Sequence, residues 1–143
     1  MKIAPLKGKA AFASTMRSGK RFTKQAITGI VSFRKPLEAP DSDAGESLTQ
    51  IISLGVSIRK KTAKKATVRN RAKRLMRQSV RIVIDEFAAA GYFETGNPFN
   101  RVIVFSNFAP PAASQMSLED ILNDVRAVLQ TAFDYSQKYS LSQ

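Results

Sequence analysis

The stretch GVSIRKKTAKKATVRNRAKRLMRQSVR, Gly55 to Arg81, decides how this chain folds. Its opening residues close TQIISLGVSI, Thr49 to Ile58, a run rich in Ile, Val and Thr that reads as a strand. Residues 59–65 are mostly cations and turn the chain. From about Ala66 the apolar positions fall at helical spacing, and the pattern continues to about Ala90, where Gly91 stops it.

Upstream, AITGIVSF from Ala26 to Phe33 reads as another strand. Ile27, Val31 and Phe33 share one face; Thr28, Ile30 and Ser32 share the other. Gly29 within it marks a bulge or a close backbone approach. Residues 6–18 predict a short helix with Leu6, Phe12 and Met16 as its larger apolar positions and Gly19 as its stop, followed by an extended piece at Arg21–Thr23. Pro36 to Leu48, with two prolines, a glycine and four acids, is a connecting loop. Downstream, Arg101–Ser106 is a third strong strand and Pro110-Pro111 breaks the chain. Ser117, with Asp120 three residues on, opens a last helix. Ile121, Leu122, Val125, Val128, Leu129 and Phe133 carry it at helical spacing to about Tyr139. The order helix, strands, helix, strand, helix predicts one domain over residues 1–143, an α/β (α+β) two-layer sandwich of mixed sheet with helices on it.

Composition narrows the chemistry. The 143 residues include no Cys and no His. That excludes a disulfide framework, thiolate or imidazole metal sites, and a Ser-His-Asp triad. No apolar run approaches the roughly 18 residues of a membrane span, and the basic N-terminus lacks a secretory apolar block, so the expected location is cytoplasmic. The net charge of +12 calls for a polyanionic partner: RNA, DNA or an acidic membrane. Residues 1–35 hold nine bases and no acid; residues 57–81 hold eleven bases and no acid. Two such blocks suggest one anion-binding surface assembled from distant segments.

On a helical wheel with Arg69 at zero, Arg69, Lys73, Arg74, Arg77 and Arg81 fall between 0° and about 140°, with Asn70 among them. Val68, Ala72, Leu75, Met76, Ile82 and Val83 fall between about 220° and 340°, and Arg71 sits near 200°, at the edge of the apolar face. One face packs on the sheet. The other presents cations about 5–6 Å apart, a spacing that suits successive phosphates, which Arg forks hold bidentately. The helix forgoes the Glu–Lys pairs that usually steady a solvated helix.

ATVRNRAKRLMRQ, Ala66 to Gln78, resembles the AxxRNRxKRLxRQ signature of the protein subunit of bacterial ribonuclease P. GVSIRKKTAKKA resembles the strand and turn before that family's signature helix. LKGKAAFASTMRSGKRF resembles its first helix, with Leu6, Phe12 and Gly19 at matching spacing. RVIVFSN resembles its last strand and SLEDILNDVRAVLQTAF its terminal helix. The resemblance implies a fold of the ribosomal-protein-S5-domain-2 type with a left-handed βαβ crossover, against the usual right-handed preference. It implies that a catalytic RNA subunit with its bound Mg²⁺ performs the hydrolysis that frees the 5′ leader of precursor tRNA, with one protein per RNA. By matching positions, Arg69, Asn70, Arg71, Lys73, Arg74 and Arg77, with Lys60 and Lys61 before them, would contact the catalytic RNA. Phe12, Met16, Thr28 and Ile30 would line a leader cleft between the first helix and the sheet. Phe12 suits a core position as well as a stacking one. Met16 stands where many members carry a second aromatic, and Arg59 where a small residue or proline is usual. A structural ribosomal RNA-binding protein and a DNA-binding regulator are the competing readings. The first gives no reason for the full RNR pattern, and the second lacks helix-turn-helix spacing or a dimerisation stripe.

Overall fold

The computed structural model describes residues 2–24, 27–34, 51–58, 65–94, 96–106 and 117–141. The acidic loop 36–48, the cationic turn 59–64 and the Pro110-Pro111 break lie outside the described residues.

Eight elements follow in order: β1 (Lys2–Pro5), α1 (Lys9–Ser18), β2 (Lys20–Lys24), β3 (Ile27–Phe33), β4 (Ile51–Ile58), α2 (Ala66–Ala89), β5 (Phe99–Ser106) and α3 (Leu118–Leu141). The strands make one sheet in the order β1-β4-β5-β3-β2. β1 and β5 lie parallel to β4, while β3 is antiparallel to both β5 and β2. α2 carries the crossover from β4 to its parallel neighbour β5, as adjacent parallel strands require. The result is the mixed-sheet α+β sandwich expected from the element order.

One face of the sheet is the core. Ile27, Val31, Ile52, Leu54, Val102 and Val104 meet Met76, Val80 and Val83 of α2 and Ile121, Val125, Val128 and Leu129 of α3. Period-two alternation puts Ile27 and Val31 on this face, with Phe33 packed beside them. Gly29 shares that face because α3 comes close: a Cβ there would stand 2.6 Å from Val128 Cγ1. The strand's irregularity falls at Ser32/Phe33 instead.

The buried stripe of α2 departs from the wheel. Ala72, Met76, Val80 and Ile84 are all buried, whereas Ile82 is half-buried. They stand four residues apart, and each step of four advances about 40° around a helix. The stripe therefore drifts into the sector that the wheel gives to cations. Glycine ends α2 as expected: Gly91 has φ +84°, its N–H donates to Ala88 O, and the Tyr92 N–H donates to Phe87 O. These two bonds make a Schellman cap, and the Phe87 and Tyr92 rings pack across it with centroids 4.7 Å apart. α3 begins on the predicted box. The Asp120 N–H donates to Ser117 Oγ at 3.3 Å, and the Ser117 N–H donates to Asp120 Oδ2 at 3.1 Å.

The start of the chain differs from the sequence reading, and β5 begins at Phe99 rather than Arg101. α1 starts at Lys9, not Leu6, because Gly8 takes φ +94° and Leu6 is still extended, its N–H donating to Leu54 O at 2.9 Å. Ahead of it lies β1, a strand that the sequence reading omits.

Candidate nucleic-acid interface

α2 emerges from the end of β4 with Lys65 at its N-cap, no side chain capping it, and no acid in its first turn. Asn70, Arg71, Arg74, Arg77 and Arg81 are exposed, while Arg69 and Lys73 are half-buried. The outward row is thus centred on Arg71, Arg74 and Arg77, not on Arg69 and Lys73. The same drift of the buried stripe accounts for this: it draws the 0–60° sector inward and leaves Arg71 outside. Lys60 and Lys61 lie outside the described residues.

The opposite face of the sheet is partly covered by α1. An ideal Cβ on Gly55 would meet Phe12 Cε2 at 3.2 Å and Leu6 Cδ2 at 3.5 Å; one on Gly19 would meet Ile30 Cγ2 at 2.6 Å and Thr15 O at 2.7 Å. Two missing side chains therefore let α1 seat directly on the sheet. Thr15 faces inward, its Oγ1 donating to Ala11 O at 2.8 Å. Phe12 and Met16 remain partly open beside it. Ile30 is sealed beneath the helix at 1% exposure and Thr28 is 5% exposed, its hydroxyl 3.2 Å from that of Thr23. Of the four residues placed in the cleft from sequence, the structure leaves Phe12 and Met16 accessible and buries Thr28 and Ile30.

The same face carries two partly exposed residues absent from that set, Ser57 and Phe105. Register places them in one row, Thr23–Thr28–Phe105–Ser57, next to the row Arg21–Ile30–Ile103–Gly55 under α1. The alternation in RVIVFS, with Val102 and Val104 facing the core, was the available signal for Phe105. Around this face Lys7, Lys9, Arg17 and Arg21 are exposed. Acids gather on the other layer. Arg126 holds Glu86 through Nε–Oε2 at 2.9 Å and Nη2–Oε1 at 2.8 Å, which draws the Glu86 carboxyl below its ordinary range. Burial pushes Asp124, on α3, above its ordinary range, against the pull of Lys24.

A basic α+β sandwich with a cationic helix face and a partly open sheet face has the electrostatic footprint of a nucleic-acid-binding protein. The family described as Ribonuclease P matches residues 1–132, and the chain belongs to that family, whose members serve in the tRNA-processing ribonucleoprotein. No curated protein sequence matches the chain. Among solved structures it is similar in fold to the RNase P protein of Staphylococcus aureus, at 20% identity and a TM-score of 0.58, covering 90% of this chain and 94% of that one. It is also similar to the RNase P protein of Thermotoga maritima, at 19% identity and a TM-score of 0.51, covering 87% and 96%. Among the described residues no helix is long and apolar enough to cross a membrane.

Proposed function

We propose that this chain is the protein subunit of ribonuclease P, binding the catalytic RNA through α2 and the 5′ leader of precursor tRNA through the face beneath α1. The observation that carries the reading is the outward row Arg71, Arg74 and Arg77, with Asn70 beside it, on a helix without an acid in its first turn. Guanidinium groups one turn apart suit successive phosphates of a folded RNA. Hydrolysis belongs to the RNA subunit and its Mg²⁺, in a complex of one protein and one RNA. The protein's part is to bind and position: phosphate contacts fix the register of the RNA subunit, and Phe12 and Met16 receive the unpaired leader beside α1.

The test is a salt titration of affinity for the cognate RNA subunit. Replacing Arg71, Arg74 and Arg77 together with Ala should reduce the magnitude of the salt slope by about 2–3, close to one unit for each phosphate no longer neutralised. Ala keeps the helix, and all three side chains are exposed, so the melting temperature should hold. An unaltered slope removes α2 from the RNA contact.

A further inference from the structure

Phe105 is a large apolar side chain on the wrong side of the sheet for the core. Its strand neighbours Val102 and Val104 face α2 and α3 and are buried, and Phe105 is not among the hydrophobics packed against that cluster. It stands on the α1 face, partly exposed. Ile103, on the same face, is fully covered, because α1 rests on its row. Phe105 lies one row further, about 7 Å along the strand, where that cover gives out. Its cross-strand neighbours are hydroxyls: Thr28 on β3 and Ser57 on β4. The Thr28 hydroxyl is engaged with Thr23 at 3.2 Å. Ser57, partly exposed, stands one residue before the end of β4, the strand that leads to α2. The row therefore lies beyond the residues under α1, toward the end of β4.

A ring exposed on a central strand with a hydroxyl beside it can take a nucleobase: the ring stacks on the base plane and the hydroxyl reaches the base edge. The surroundings favour a nucleic acid over an apolar peptide. Lys7, Lys9, Arg17 and Arg21 are exposed around this face, and residues 1–35, which supply α1, β2 and β3, contain no acid. We infer that Phe105 is a second stacking platform for the single-stranded leader, with Ser57 beside it as the edge contact, and that it supplies the aromatic surface that Met16 does not. The inference rests on the leader-binding reading above and deepens it by naming a positioning residue that composition and signature leave out.

The experiment measures affinities of reconstituted holoenzyme for precursor tRNA, for mature tRNA, and for a series of precursors each with one abasic leader position. Phe105→Leu keeps an apolar side chain but removes the ring. It should weaken precursor binding by about 5- to 150-fold, the equivalent of ~1–3 kcal/mol of stacking, and leave mature tRNA unchanged. One abasic position should weaken binding to the wild type and make no further difference to the variant. Ser57→Ala should lower precursor affinity less, at the same leader position. Ring-proton NMR of phenylalanine-labelled wild-type protein titrated with single-stranded leader RNA reads the contact without substitution, since stacking moves the Phe105 resonances upfield. Unshifted resonances overturn the inference, as does equal weakening for precursor and mature tRNA. A wild-type preference for precursor that survives Phe105→Leu intact overturns this inference alone; absence of that preference in the wild type overturns the leader reading and this inference with it.

Discussion

At Asp124 a buried carboxylate sits in a chain that otherwise has cations in excess. The side chain is 8% exposed, on α3. Desolvation raises its pKa above the ordinary 3.8, Lys24 opposes the rise, and Asp120 adds to it. The unfolded chain therefore gives up this proton first. Between the ordinary and the raised value the folded state binds more protons, and stability falls as pH climbs through that window. Asp124→Asn removes the titration. Urea midpoints of wild type and variant, compared from about pH 3 to about pH 7, should diverge in the variant's favour as pH rises and stay parallel above the folded pKa. A difference independent of pH would show that Asp124 is not desolvated. Residues of this kind mark where sequence reading stops. Position on α3 follows from spacing, but how far Lys24, from β2, offsets the burial follows only from packing. Gly29 is the converse case. A glycine amid Ile27, Thr28, Ile30 and Val31 signals that something comes near, and Val128 Cγ1, 2.6 Å from where its Cβ would stand, is what does.

The two long helices are started differently, and the difference bears on function. α3 is held by its Ser117–Asp120 box, whose bonds from the Ser117 hydroxyl and backbone N–H lower the Asp120 pKa. α2 begins at Lys65 without a side-chain cap or an acid in its first turn. Its first N–H groups and macrodipole therefore favour an external anion alongside Arg71 and Arg74. Sulfate should raise the melting midpoint above that in chloride at matched ionic strength. At ten times its Kd the anion contributes about 1.4 kcal/mol, roughly 3–6 °C for a domain of this size. Sulfate also stabilises proteins by exclusion from their surface, so the decisive comparison is with the Arg71, Arg74 and Arg77 alanine variant. The general effect persists there and the specific part should vanish; equal sulfate gains in both proteins would count against an anion site on α2. Element types were legible where one period persisted over many residues, as in α2, α3, β3 and β4. β1 was not. Four residues with an exposed Lys2 and Pro5 carry little pattern, and the partner that makes them a strand, Ile51–Leu54, lies far along the chain. The wheel of α2 failed because the buried positions, Ala72, Met76, Val80 and Ile84, follow a four-residue spacing that a fixed sector cannot track.

Charge is segregated across the whole molecule. Residues 57–81 hold eleven bases and no acid, while residues 82–143 hold three bases and seven acids. A polyanion is attracted to the N-terminal half of α2 and the face beneath α1, and repelled from the end of α2 and from α3. The location of the basic blocks was legible in the sequence, and the signature within them led to the family. That α2 and α1 lie on opposite faces of one sheet was not, because strand order depends on pairings between distant residues. On the proposed reading the two faces serve as separate surfaces for RNA, and cleavage falls to the RNA subunit. With no His and no Cys, general acid–base or nucleophilic work would fall to carboxylates, hydroxyls and amines. Glu86 among these is held in its bond to Arg126, away from the cationic row. The protein alone should therefore leave precursor tRNA intact, with or without Mg²⁺. Adding the cognate RNA subunit with Mg²⁺ should give cleavage at the mature 5′ end. Added to the RNA subunit, the protein should raise affinity for precursor more than for mature tRNA, since only the precursor has a leader to place beside Phe12. The assay is gel resolution of end-labelled precursor, with each component omitted in turn. Specific 5′ cleavage by RNA-free protein would end the division of labour argued from these residues, and a protein effect equal on both tRNAs would remove the leader from it.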